Sequence, residues 1–200
     1  VQYLLGVMHN ITDEAADRLE LMITGQVSTG GAMPVVNKVT HNPGAEKAPE
    51  ESAYRSDDCM WLFNTVPAYV NETGNLDFYY KILPYADQGE DTVFGHLRRA
   101  IQFNLDRLGN HGLPCGLHAD WNDCLKFGHD GETAFVAMQL RFALQTYLNI
   151  CDLLGEKDEM KWANPILQTL DDNIQKYVWD GEWFLRGYRN DGFKFGSKES

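Results

Sequence analysis

The chain has 200 residues and carries 29 acidic against 17 basic side chains, a formal net charge of −12. That balance argues against nucleic acid as a partner, because such binding relies on Lys and Arg neutralising phosphates. It fits a soluble enzyme acting on a neutral substrate, with any anionic co-substrate drawn in by a local basic pocket.

The chain opens on the apolar Val1-Gln-Tyr-Leu-Leu-Gly-Val-Met8, without an initiator Met or a signal-peptide pattern, and stops in a glycine-rich stretch at Ser200. A piece of a larger protein, incomplete at both ends, is the expectation. Thr12 predicts a first helix, with its hydroxyl as cap, Asp13 and Glu14 in the first turn, and Ala16, Leu19 and Ile23 at helical spacing. Residues 26–55 are rich in Gly, Pro, Asn and charge, and read as a long connection of the functional or mobile kind. A second helix is expected from Ser56 to Gly74, with Asp57 and Asp58 in its first turn and a kink at Pro67. Its Met60, Trp61, Phe63, Asn64 and Val66 are too apolar all round for a surface helix, so an inner, buried one is predicted.

A third helix is expected from about Asp91 to Gly109, with Leu97, Ile101, Leu105 and Leu108 on one stripe and His96, Arg98, Arg99, Asp106 and Arg107 largely elsewhere. A fourth starts near Glu132-Thr133 and carries Val136, Leu140, Leu144, Tyr147 and Cys151 to Gly155. A fifth has Asn164 as N-cap and Pro165 at the first helical position, running to Gly181. Residues 183–195 then read as a short β-hairpin around Asn190-Asp-Gly192. Gly74, Gly109 and Gly155 close successive helices, which suggests a solenoid or closed helical toroid rather than a four-helix bundle. No apolar stretch approaches the roughly 20 residues of a membrane helix. Cys59, Cys115, Cys124 and Cys151 form no Cys-x-x-Cys pair, so they read as free thiols of a reducing compartment, and a cytoplasmic location is expected.

Between the third and fourth helices lies Gly112-Leu-Pro-Cys-Gly-Leu-His-Ala-Asp-Trp-Asn-Asp-Cys-Leu-Lys-Phe-Gly128, a Gly/Pro-punctuated loop. It sets Asp120, Trp121, Asn122 and Asp123 side by side. An indole can stack on the apolar face of a pyranose, an Asn can hydrogen-bond hydroxyls, and a carboxyl beside apolar surface can stay protonated as an acid. The bland alternative is a turn and helix cap with a Trp in the core, since Asp and Asn favour such places. His111, Cys115, His118 and Asp120 can also be drawn as a metal cluster, but no matching second ligand set accompanies them.

Gly112-Leu-Pro followed by His118-Ala-Asp-Trp-Asn-Asp-Cys-Leu125 resembles the signature of the inverting disaccharide phosphorylases of glycoside hydrolase family 94. Three further stretches are similar to that family in the same order: Ser56-Asp-Asp-Cys-Met-Trp-Leu62, Glu72-Thr-Gly-Asn-Leu-Asp77 leading to Pro84-Tyr-Ala-Asp87, and Trp179-Asp-Gly-Glu-Trp-Phe-Leu-Arg-Gly187. The resemblance implies an all-α fold in which residues 1–200 are part of a single (α/α)6 catalytic toroid, with the short hairpin near the C-terminal end. It implies Asp123 as general acid, in preference to Asp120, and Trp121 lining the subsite of the transferred sugar. Asn122 and Asp120 are the accompanying substrate-binding candidates. Three residues separate the two carboxylates, which would share a face if the loop wound into a helical turn.

The implied reaction is phosphorolysis of a β-linked gluco-oligosaccharide, cellobiose- or cellodextrin-like, with inorganic phosphate as co-substrate and neither metal nor organic cofactor. Saccharide and phosphate are then the partners, with a homodimer as one expected state of the complete protein. Many family members carry an Arg and an Asp near the segment matching residues 1–6, to bind sugar hydroxyls. Here Tyr3 stands where the Asp is expected, which leans the reading toward the cellodextrin-like branch. The family's phosphate-binding loops correspond to positions beyond Ser200. The rival readings are an inverting glycosidase, which needs a second catalytic carboxylate, and a non-catalytic helical carbohydrate-binding module. Trp61, Trp179 and Trp183 are expected in packing rather than as sugar platforms, and Arg186 and Lys194 as solvated charge on the hairpin, with support of a phosphate as their alternative role.

Overall fold

The computed structural model describes residues 2–31 and 54–199, and is mostly helical with two small sheets. Most of the long connection, residues 32–53, lies outside the described residues, as do Val1 and the side chain of Tyr3. The described chain falls into two compact units. One takes in Asp58–Gln102 with the described residues before 32, and the other takes in residues 54–57 and those from Phe103 onward. No described helix is long and apolar enough to cross a membrane.

In the first unit, α1 (Gln2–Val7) and α2 (Thr12–Ile23) both pack on α3 (Leu62–Thr73). Thr12 is the first helical residue rather than the cap: Ile11 precedes it, and no side chain caps the helix. The dipole is met instead by Asp13 and Glu14 in the first turn. Ala15, Leu19 and Ile23 form the buried stripe, one residue off the expected Ala16 at its start. A 3-10 turn at Asp58–Trp61 leads into α3, so Asp58 opens that turn and not an α-helix. Met60, Phe63 and Val66 are fully buried as expected, and Pro67 sits inside the helix. A two-stranded antiparallel sheet, β1 (Ile82–Pro84) with β2 (Glu90–Thr92), precedes α4 (Val93–Leu105).

His96 is a correction to the amphipathic reading of that helix, for it is fully buried. Its Nδ1 lies 2.7 Å from Gln26 Oε1 and its Nε2 3.0 Å from the Leu83 carbonyl. The Gln26 amide is oriented by donating to Gly30 O and His96 O. Both partners are acceptors, so the neutral ring donates its single N–H to one of them.

In the second unit, α5 (Ala134–Leu154) and α6 (Lys157–Asn173) form the main helix pair. The buried face of α5 is Val136, Leu140, Leu144, Tyr147 and Cys151, as the spacing predicts, and Gly155 ends it in the left-handed conformation. Helix α6 overturns the expected start at Asn164-Pro165. It begins directly after Gly155, with Asp158 and Glu159 in its first turn, and Pro165 lies in its interior. Lys157, Asp158 and Lys161 are exposed on its first turns and Glu159 accepts from the Tyr147 hydroxyl, while Ala163 is buried and Trp162 meets the Tyr147 ring edge-on at 6.1 Å. The Asn164 side chain turns back to Met160 O at 2.8 Å, which is a helix-interior contact, not a cap. Gly109 is another correction. Helix α4 ends at Leu105, and Gly109 closes a tight turn by donating to Leu113 O.

The hairpin is present as β4 (Gly187–Tyr188) with β5 (Lys194–Phe195), antiparallel around Asn190-Asp-Gly192. It has a third strand, β3 (Glu132–Thr133), paired to β4. Those two residues were expected to open a helix. They are extended, and α5 starts one residue later at Ala134.

Candidate active site

The loop of residues 112–131 is knitted to its neighbours on both sides. Residues 54–56 run beside it, with His118 N–H donating to Tyr54 O at 3.1 Å and Ser56 N–H to Ala119 O at 3.3 Å. On the returning arm, Gly116 N–H reaches Gly131 O and Leu117 N–H reaches His129 O. Leu117 makes this possible with a left-handed φ of 56°, a conformation costing an L-residue about 1–2 kcal/mol. At the base, buried Glu132 accepts on Oε1 from the amides of His111 (2.9 Å) and Leu113 (3.1 Å), and its Oε2 meets the His111 ring. That ring stacks on Tyr188 at 4.0 Å. These ties hold the loop on both sides of its tip, residues 121–124.

The four consecutive candidates have different fates. The side chain of Asp120 is 1% exposed. Its Oδ1 accepts from the Asn122 amide at 2.9 Å and from Arg186 Nη2 at 2.7 Å. Its Oδ2 accepts from Thr133 Oγ1 and from Arg186 Nη2, both at 2.6 Å. Arg186 Nη1 in turn donates to Thr133 Oγ1 at 2.9 Å, closing a ring of charge-assisted bonds. Arg186, expected as solvated hairpin charge, is therefore a structural cation; Lys194 is exposed.

Asp123 has the opposite setting. Its side chain is 58% exposed, and its ion-pair partner is Arg55 Nη1 at 3.3 Å. A pair this open to water is worth about 0–1 kcal/mol, so a reactant can replace Arg55. Trp121 is 60% exposed, with its ring 6.4 Å from that of Phe135. Asn122 is half-buried, and its Oδ1 accepts from the Cys124 amide at 3.1 Å. The tip is thus two successive side-chain-to-backbone turns, Asp120 to Asn122 and Asn122 to Cys124. It does not wind into the helical turn that would have put Asp120 and Asp123 on one face.

A cleft of about 260 Å³ lies along the two arms, lined by His118, Asp120, Leu125, Lys126, Phe127 and His129 among others. It brings the Lys126 ammonium and two imidazole rings beside the tip in a chain of net charge −12. The four residues drawn as a metal cluster are not gathered, and among the described residues no three His, Cys, Asp or Glu side chains form such a group. His111 is held by Glu132, His118 is exposed, and Asp120 is held by Arg186. Burial, reinforced by Glu132 and Asp130, pushes the Cys115 thiol up to about 11, which disfavours the thiolate a metal needs. Of the motif at residues 56–58, Ser56 and Asp57 are buried in this unit. Trp179 and Phe184 meet edge-on at 5.0 Å and Trp183 donates to Gly196 O, but all three rings are exposed rather than packed in a core. Arg55, Thr133, Phe135 and Arg186 were not singled out from the sequence as a group. Their signals were scattered: Arg186 lies in the fourth family-like stretch, and Thr133 at an expected helix start.

Residues 1–200 match the family model described as the glycosyl hydrolase 94 superfamily, catalytic domain. The chain is similar to an N,N'-diacetylchitobiose phosphorylase of Vibrio proteolyticus, 35% identical over 146 residues, covering 72% of this chain and 18% of that protein. It is similar to a cellobionic acid phosphorylase of Neurospora crassa, 31% identical over 195 residues, covering 96% of this chain and 24% of that protein. A solabiose phosphorylase of Paenibacillus borealis is 30% identical over 146 residues, covering 71% of this chain and 19% of that protein. The chain therefore spans between 18% and 24% of the length of these relatives.

Proposed function

The chain belongs to the glycosyl hydrolase 94 superfamily, and on that premise we propose that the protein containing it is an inverting glycoside phosphorylase, residues 1–200 being part of one (α/α)6 catalytic toroid. The observation that carries the reading is the contrast between the two carboxylates of the loop. Asp120 has both oxygens occupied by donors and is held in place by Arg186, Thr133 and the Asn122 amide. Asp123 projects from the exposed tip beside an exposed indole.

Inversion by hydrolysis needs one carboxyl group to protonate the leaving oxygen and a second to activate water. Phosphate is already a nucleophile, so one acid suffices. Inorganic phosphate attacks the anomeric carbon of a β-linked glucosyl unit from the face opposite the glycosidic oxygen. The C1–O bond to phosphate forms as the C1–O bond to the departing sugar breaks, and Asp123 delivers its proton to that oxygen. The phosphate proton then restores Asp123, leaving an α-sugar 1-phosphate and a saccharide one unit shorter. Trp121 stacks on the transferred ring, and Asn122 and the cleft beside the tip offer hydroxyl contacts. No metal or organic cofactor takes part in this scheme. The substrate is a cellobiose- or cellodextrin-like oligosaccharide, a choice supported by Tyr3 at the position where an Asp is common. Four free thiols suit a reducing, cytoplasmic setting.

The test uses the complete protein with cellodextrins, with and without inorganic phosphate. Glucose 1-phosphate should form only with phosphate present. Asp123→Asn should lower turnover about 10²–10⁴-fold, the usual contribution of a general acid, while saccharide binding persists. Phosphate-independent release of glucose would replace the reading with an inverting glycosidase. Full turnover in Asp123→Asn would remove Asp123 from the mechanism.

A further inference from the structure

We propose that Thr133 and Arg186 are positioning residues which, acting through Asp120, set the angle at which the loop tip presents Trp121 and Asp123; this rests on the reading of Asp123 as the acid. Asp120 Oδ1 is shared between Arg186 Nη2 and the amide of Asn122, the residue that separates Trp121 from Asp123. Any shift of the carboxylate is therefore passed to the backbone between the two functional side chains. A second link runs through rings: the Arg186 guanidinium lies 5.7 Å from the Phe135 centroid, and Phe135 faces Trp121 at 6.4 Å. The guanidinium also lies 5.3 Å from the Phe127 ring, in the loop's returning arm. One cation thus touches both arms of the loop and both routes to its tip.

Thr133 supplies an independent observation. It immediately precedes α5, where a Thr hydroxyl ordinarily caps the first free amides of a helix. Here it makes no capping bond. Its hydroxyl donates to Asp120 Oδ2 and accepts from Arg186 Nη1 instead. The helix start gives up its cap, and the three groups close into a ring with every carboxylate lone pair directed. Arg186 is brought there by strand pairing: its carbonyl accepts from the Ala134 amide at 3.1 Å, and its own amide donates to Phe195 O at 2.7 Å. The loop, the start of α5 and the hairpin meet at this ring.

A misaligned acid has a kinetic signature that a merely loosened fold lacks. Protonation of the leaving group matters for a sugar alcohol and hardly at all for a nitrophenolate, which departs unaided. In the complete protein, Thr133→Val and Arg186→Lys should lower kcat for cellodextrin phosphorolysis about 10–100-fold, the scale of a misplacement near 1 Å. The KM for saccharide should rise by less than kcat falls, because the tip also presents Trp121, and kcat for phosphorolysis of nitrophenyl β-glucoside should be largely spared. Thr133→Ser, which keeps the hydroxyl, should recover most of the loss, and this Val/Ser pair decides the matter if Arg186→Lys does not fold. Asp123→Asn, run alongside, should show the same split between the two substrates, but larger. If both substrates fall alike in Thr133→Val, or neither falls, the positioning role is overturned while the assignment of Asp123 stands. If Asp123→Asn keeps full cellodextrin turnover, the assignment of the acid fails and takes the positioning role with it.

Discussion

Replacing Asp120 by Ala would strand the Arg186 guanidinium, whose side chain is only 27% exposed and has no other carboxylate within ion-pair distance among the described residues. Breaking a largely buried, hydrogen-bonded pair by removing one partner costs about 3–5 kcal/mol, and the partial exposure of Arg186 puts the expectation at about 3 kcal/mol. Urea unfolding of the complete protein measures it; a loss under about 1 kcal/mol would mean that solvent already screens the pair. The same substitution frees the Asn122 amide, so turnover should fall along with stability. Residue types at this tip were legible from sequence, because Asp, Trp, Asn and Asp in a row offer an acid, a stacking face and polar contacts. Which carboxylate is buried was not legible. That depends on Arg186, 66 residues further on, and on a threonine that local rules assign to a helix cap. Side-chain chemistry at short range is readable, whereas the choice of partner across the chain is a tertiary outcome.

Elements were read well where periodicity was long and poorly where one residue type has two uses. The buried stripe of α5 follows from its spacing alone. Pro165 misled because proline after Asn is a strong start signal, yet here it sits eight residues inside α6. An interior proline removes one backbone bond and crowds the preceding turn, at about 3 kcal/mol relative to Ala. The helix runs through because α5 covers its apolar side, where Ala163 and Leu170 are buried, and because Gly155 turns the chain straight into it. Pro165→Ala should therefore raise the unfolding free energy by about 1–2 kcal/mol, since part of the gain is offset by added freedom in the unfolded chain. Chemical denaturation reads this directly. A destabilised variant would show that the proline's bend is needed for α6 to seat on α5. Strand β3 was missed for a related reason: two residues are too short for any alternation to show, and its pairing to β4 joins segments far apart in sequence.

At the scale of the whole molecule, a mostly helical fold was readable from helical periods, and the family from four ordered motifs that the match over residues 1–200 bears out. A buried histidine was not readable, because His96 looks like one more polar residue on an amphipathic helix. It gives the fold a pH dependence whose sign can be worked out. Burial holds the His96 pKa below its usual 6.5, against the opposing pull of the Leu83 carbonyl and the Asp91 carboxylate. The ring is packed against Tyr85 at 4.2 Å, which leaves little room for hydrating a charge. In the unfolded chain the imidazole titrates near 6.5, so below that value the unfolded state binds more protons than the native one. The stabilisation is complete above about pH 7 and is lost as pH falls through 6.5 toward the folded-state pKa. One proton limits the slope to about 1.4 kcal/mol per pH unit. The measurement is the unfolding free energy at several values between pH 7.5 and 5, for the wild type and for His96→Gln. The difference between the two should shrink steadily on acidification, because only the wild type must take up that proton on unfolding. Parallel profiles would mean that His96 keeps its ordinary pKa in the fold, with both of its ring nitrogens satisfied as an imidazolium.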